Sequence, residues 1–154
     1  MQPATASKTN FNQKIADELA HLLADTYALY IKTQNFHWNV TGPNFPALHK
    51  LFDDQYNELA EAVDVIAERI RALGSLAPGS FSEFQKLTSI KDENGNLSAD
   101  KMIQKLLKDH ETLAQHANMI FVKAEKAQDQ ATMDLLIDRM RAHEKTAWML
   151  RSSL

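Results

Sequence analysis

Four stretches in which apolar residues return every three or four positions constrain this chain more than anything else about it. That spacing is the period of an α-helix with one buried face, not of a strand. The first stripe runs from Asn10 to about Phe36 through Ile15, Leu19, Leu22, Leu23, Thr26, Leu29, Tyr30 and Thr33. Val40-Thr-Gly-Pro-Asn-Phe-Pro46 then interrupts it, since Gly and Pro do not continue a helix interior. The second starts near Asn44, a good N-cap residue, with Pro46 tolerated in the first turn. It carries Leu48, Phe52, Tyr56, Leu59, Val63, Ile66, Ile70 and Leu73, and Gly74 is its expected stop. The third begins near Ser98 and holds Leu106, Leu107, Leu113, Met119, Ile120 and Val122. The fourth begins near Asp129 and holds Met133, Leu136, Ile137, Met140 and Trp148, ending near Leu150.

Four amphipathic helices of this length predict an all-α four-helix bundle. Residues 75–98 carry Pro78-Gly79 and Asn94-Gly95, too long a connection for a tight hairpin, with one short helix expected over Phe81–Leu87. Such a link suits a crossover that leaves the second and third helices parallel. The 154 residues read as a single domain, 1–154, with a short flexible N-terminal tail over about 1–9. Four Gly and four Pro are too few for a turn-rich sandwich. The absence of Cys excludes a disulfide framework, a thiolate zinc site and a Cys nucleophile. No apolar leader and no run of about 18 apolar residues is present, so a cytoplasmic protein is expected, with no membrane partner. A net charge of −3 argues against nucleic-acid binding through overall charge.

The chemistry lies between His37 and Glu68. His49 and Asp53 stand at i, i+4 on the second helix, and so do Asp64 and Glu68, so each pair projects from one face. The two pairs face roughly the same way but sit about 16 Å apart along the axis. A metal ion needs donors at roughly 2 Å, so one chain cannot bring both pairs to one ion. An antiparallel copy of the helix can. Setting Asp53 opposite Asp64 of the copy also sets His49 opposite Glu68, with the contact centred among Asn57, Glu58 and Ala60. One symmetric dimer then makes two equivalent clusters. His37, at the end of the first helix, falls near His49 and Asp53 across the short connection. Two imidazoles and up to three carboxylates suit iron, zinc or manganese, and a site open to an oxidant suits ferrous iron. Asp54, Glu58 and Glu61 are assigned to the solvated face. The competing reading leaves every acid of this helix solvated and makes the bundle an interaction module only.

The segments Asn35-Phe-His37-Trp38-Asn-Val40, Leu48-His49-Lys-Leu-Phe-Asp53 and Val63-Asp64-Val-Ile-Ala-Glu68-Arg69-Ile-Arg71-Ala-Leu-Gly74 resemble the Dps family of miniferritins, the DNA-binding proteins from starved cells. The resemblance covers nearly the whole chain, including the short helix of the long connection and Trp148. It implies a ferritin-like fold and a hollow homo-dodecamer with a di-iron type ferroxidase centre at each two-fold interface. It implies His37, His49 and Asp53 from one chain, with Asp64 and Glu68 from its neighbour, as ligands and catalytic residues. Members oxidise Fe(II), with hydrogen peroxide in preference to dioxygen, and store the ferric mineral, protecting the cell from oxidative damage. Trp38 resembles the family's site-adjacent aromatic, with packing its simplest role and electron donation the alternative. Asp129, Asp134 and Asp138 fall near the acids that line the family's ion pore, although Asp129 also reads as an ordinary N-cap.

Intrachain ferritin sites use two Glu-x-x-His pairs; this chain has one, Glu18-Leu-Ala-His21, which reads as a decoy. His110, His116 and His143 are expected to be solvated or hydrogen-bonded. Met102, Met119, Met133, Met140 and Met149 are expected to fill the core. The family name suggests DNA binding and nucleoid association, with the metal site secondary. Yet only Lys8 and Lys14 precede Asp17, and the chain ends at Arg151-Ser-Ser-Leu154, so weak or absent DNA binding is expected.

Overall fold

The structure is a computed structural model that describes residues 4–154, with side chains from residue 8 on. Five helices make it up: α1 (Ala4–Asn39), α2 (Phe45–Ala72), α3 (Phe81–Leu87), α4 (Ala99–Lys126) and α5 (Gln130–Arg151). Among the described residues none is long and apolar enough to cross a membrane. The helix α1 reaches back to Ala4, upstream of the Asn10 start read from the stripe, so most of the expected tail is helical. Residues 1–3 lie outside the described residues.

Cross-helix pairs fix the topology. Between α1 and α4 the polar partners are Lys32–Asp109, Asp25–His116 and Glu18–Lys123. Each step of seven back along α1 is a step of seven forward along α4, so the two run antiparallel. Between α1 and α2, His37 meets His49 and Tyr30 meets Tyr56, again antiparallel. Hence α2 and α4 are parallel, as a long crossover requires. The outer pair α2 and α5 is antiparallel, held by Arg69–Asp129 and Arg139–Glu58.

The helix ends follow local chemistry. Gly74, at φ 96°, sits where a left-handed residue lets the Ser75 N–H reach Ile70 O and the Gly74 N–H reach Arg71 O. The end of α4 makes the same motif without glycine: Gln128 takes φ 55°, while Asp129 N–H reaches Ala124 O. Asn44 occupies the N-cap position of α2, but at φ −101° and ψ 16° its side chain makes no capping bond. Ser98 and Asp129 do cap α4 and α5, and Ser80 with Glu83 forms a reciprocal capping box on α3.

The crossover is tied to α1. Buried Asp25 accepts from Thr88 Oγ1 and Ser89 N, at 2.8 and 2.6 Å, and from His116 Nδ1. Buried Lys32 donates to Lys91 O at 3.0 Å and to Asp109 at 2.7 Å. Tyr27 stacks on Phe84 of α3, and the His21 ring bonds Leu87 O. That contact, with Glu18 paired to Lys123, gives both members of the decoy pair a structural role.

Two apolar clusters fill the bundle. One gathers Ile15, Leu19, Leu22, Leu23, Ile66, Ile70, Ile120 and Leu136; the other gathers Leu29, Phe36, Phe52, Leu59, Met102, Ile103, Leu106 and Leu150. Met102 is fully buried, and Met133 and Met140 pack on the first cluster. Met119, Met149, Trp148, Ile137 and Val122, expected inside, are exposed on the chain.

Candidate metal centre

His37 stands in the last turn of α1 and His49 near the start of α2, so the α1–α2 hairpin closes by bringing the two rings together. They stack with centroids 3.9 Å apart and planes 13° from parallel. Each ring bonds the main chain of the other residue: His37 Nδ1 to His49 O at 2.7 Å, and His49 Nδ1 to His37 O at 2.8 Å. A carbonyl oxygen only accepts, so both Nδ1 atoms carry the proton and both Nε2 atoms keep a lone pair. Metal-binding histidines are oriented by this kind of contact.

Asp53, one turn after His49, places Oδ1 3.9 Å from His37 Nε2. Donors bind an ion at roughly 2.1 Å each, so a gap of that width lets one ion touch both. His37 is 8% exposed and the Asp53 side chain 34% exposed, so the cluster sits at the surface with its mouth open. Phe45 stacks on His49 at 5.1 Å, and Tyr56 meets the His37 ring edge-on at 5.2 Å. The Asp53 carboxylate beside the Tyr56 hydroxyl holds the phenol above its ordinary pKa. Sequence reasoning used Tyr56 only as a stripe residue, although its place three after Asp53 was the available signal.

Asp64 and Glu68 lie further along α2 and are both exposed. Helix rise separates Asp64 from Asp53 by roughly 16 Å, so this chain does not bring the two pairs together. Among the described residues no three His, Asp or Glu side chains gather closely enough to hold a metal within one chain.

The remaining candidates are distributed differently. Trp38 is 65% exposed, so packing within the chain does not account for it. Asp129 accepts from Thr132 N at 3.1 Å and from Arg69 Nη2 at 2.7 Å; Asp138 pairs with Arg141; Asp134 is exposed. Glu58 is not merely solvated, because it pairs with buried Arg139. His116 is hydrogen-bonded to Asp25. His110 and His143 are buried and bonded to each other rather than solvated.

Compared with known families, the chain matches the ferritin-like domain over residues 16–154 and belongs to that family. It is 35% identical over 143 residues to DNA protection during starvation protein 2 of Bacillus anthracis, covering 93% of this chain and 98% of that one. The Dps protein of Vibrio cholerae, described as a ferritin-like diiron-carboxylate protein, superposes with a TM-score of 0.91 at 33% identity, covering 94% of this chain and 91% of its own. A Dps protein from Bacillus brevis gives 0.90 at 32% identity, covering 99% and 98%. The chain is a member of the Dps family. Iron storage and protection are the general functions of this group, and self-assembly goes with it.

Proposed function

We propose that the protein oxidises Fe(II) at sites shared between two chains, His37, His49 and Asp53 coming from one and Asp64 and Glu68 from its antiparallel neighbour. The observation that carries this is the stacked imidazole pair: both Nδ1 protons are spent on main-chain carbonyls and both Nε2 lone pairs are left for a cation. One carboxylate is in reach and two exposed ones wait on the same helix. Three hard anionic donors also favour the ferric product over ferrous iron. Each ferrous ion gives one electron; the O–O bond of hydrogen peroxide takes two and breaks to two hydroxides. Dioxygen is the slower oxidant. The ferric product is stored as mineral inside a cage of twelve chains in the cytoplasm. Zinc and manganese suit the same donor set and compete for it. Trp38, exposed beside His37, is covered by the neighbouring chain or supplies electrons locally. Asp134 and Asp138 draw ferrous ions toward a pore, with Asp129 committed mainly to its cap. With a net charge of −3 and few basic residues near the N-terminus, DNA is held weakly or not at all at physiological salt, which a gel-shift salt titration reads directly.

Subunit mixing tests the shared site. His37→Ala and Asp64→Ala proteins should each lose the peroxide-dependent ferric absorbance. Dissociated and reassembled together at random, about a quarter of sites receive both intact halves, and activity should return to about that fraction. No recovery on mixing, or full rates in either single variant, overturns the reading.

A further inference from the structure

The crossover ahead of α4 carries chemistry that the metal centre does not use. Of the nine asparagines in the chain, Asn94 alone precedes a glycine. The nitrogen of the residue after an asparagine closes a succinimide ring when it reaches Cγ. A side chain on that residue obstructs the approach, and glycine has none. Helices obstruct it as well, because they fix the backbone and commit the next N–H to the ladder. Asn10, Asn12, Asn35, Asn39, Asn57 and Asn118 all lie within α1, α2 or α4. Asn44 precedes Phe45, whose N–H bonds Gly42 O, and Asn96 precedes the branched Leu97.

Local geometry favours the ring closure at Asn94. The residue is exposed on the chain, and its Oδ1 accepts from Asn96 N–H at 2.9 Å. That contact folds the side chain back over the next peptide and turns Cγ toward the Gly95 nitrogen. It also polarises the carbonyl to be attacked, as a donor aimed at a developing oxyanion does. Among the described residues nothing accepts from the Gly95 N–H, so the attacking atom is uncommitted. We propose that Asn94 is a site of spontaneous covalent modification, with water as the only co-reactant. Gly95 N bonds to Asn94 Cγ, the Cγ–Nδ2 bond breaks, and the Gly95 amide proton leaves with that nitrogen as ammonia. Water then opens the succinimide. Cleavage at Cγ leaves aspartate; cleavage at the main-chain carbonyl leaves isoaspartate, whose backbone runs through the former side chain. In both products the water oxygen joins the new carboxylate, one hydrogen returns to Gly95 N, and one proton is released.

The two products differ in consequence because of where Gly95 sits. A Cβ at Gly95 would lie 2.6 Å from Asn39 Nδ2 and 2.8 Å from Asn35 Oδ1, and those two side chains are bonded to each other at 2.8 Å. Asn35 Nδ2 also donates to Glu93 O at 2.9 Å. The end of α1 therefore seats the crossover on both sides of Asn94. Aspartate adds only a charge, next to Asp92 and Glu93. Isoaspartate adds a main-chain carbon between the two seated points, and one of them has to come off. The crossover then parts from the end of α1, while the Asp25 bonds to Thr88 and Ser89 keep its earlier half in place.

The assembled full-length protein, aged at mildly alkaline pH, is the test material, read by peptide mass spectrometry with electron-transfer fragmentation. Asn94 should lose its amide at least about tenfold faster than Asn44 or Asn96, a barrier difference of about 1.4 kcal/mol. A carboxyl methyltransferase specific for isoaspartate should label the aged protein at position 94. Limited proteolysis should cut residues 93–97 faster in the isoaspartyl fraction than in Asn94→Asp protein, which carries the same charge on an unaltered backbone. Loss at Asn94 no faster than at Asn44 and Asn96 overturns the proposal. So does an Asn94 amide that survives in the assembled protein over the time in which the urea-unfolded chain loses it. Equal cleavage of the isoaspartyl fraction and Asn94→Asp overturns the consequence drawn from the seat at Asn35 and Asn39.

Discussion

Two histidine pairs of this bundle have the same composition and opposite chemistry. In the His37–His49 pair each Nδ1 faces a main-chain carbonyl, the rings stack, and the lone pairs are presented at an open surface beside a carboxylate. In the His110–His143 pair the rings bond each other, lie in the core, and stand against a guanidinium. Burial holds His110 down to about 3, and burial, His110 and Arg139 hold His143 well below its ordinary value. A histidine becomes a metal ligand through what occupies its other nitrogen and what charge faces it, so neither residue type nor sequence spacing separates the pairs.

The sharpest way to break this comparison is to remove one ring from each pair. His49→Leu should slow peroxide-dependent Fe(II) oxidation at least about tenfold, equivalent to about 1.4 kcal/mol of transition-state stabilisation. His143→Leu should leave the rate per folded subunit within about twofold; equal losses in stopped-flow absorbance would erase the distinction. Next in size is the charge that keeps the inner pair tolerable. Glu58→Ala leaves Arg139 buried without its carboxylate and should cost about 2–3 kcal/mol in urea unfolding, less than for a fully buried pair because Glu58 is half-exposed.

Acid should distinguish the pairs too. The folded His110 has a pKa below its unfolded value of about 6.5, so below that pH the unfolded chain binds a proton that the folded chain refuses. Stability is therefore full above about 6.5 and falls by about 1.4 kcal/mol per pH unit from His110 alone, down toward pH 3. His143 adds to the loss in the same direction. Urea midpoints that stay level between pH 7 and 5 would show that the fold does not suppress protonation of the inner pair. The smallest effect lies away from both pairs: Gln128→Gly, relieving a left-handed non-glycine residue at the end of α4, should add about 0.5–1 kcal/mol, and no gain would mean that the Gln128 side chain compensates.

Much of the architecture was legible because it is local. Periodicity and turn chemistry located Phe81–Leu87, the helix starts near Ser98 and Asp129, and the stop at Gly74. They missed the start of α1 at Ala4, where no apolar stripe marks the helix. Of the candidate site, the His49/Asp53 and Asp64/Glu68 spacings and the nearness of His37 followed from helix geometry. Tyr56 against Asp53 and His37 did not, because it depends on how the hairpin closes.

The sequence by itself determined the helices, their breaks and the faces on which acids and imidazoles stand, since these depend on neighbours three or four residues away. Only the tertiary structure decided that Glu58 serves Arg139, that Trp38 lies bare, and which nitrogen each histidine keeps for a ligand. Those outcomes hang on partners up to 81 residues distant in the chain, and no local rule carries that far.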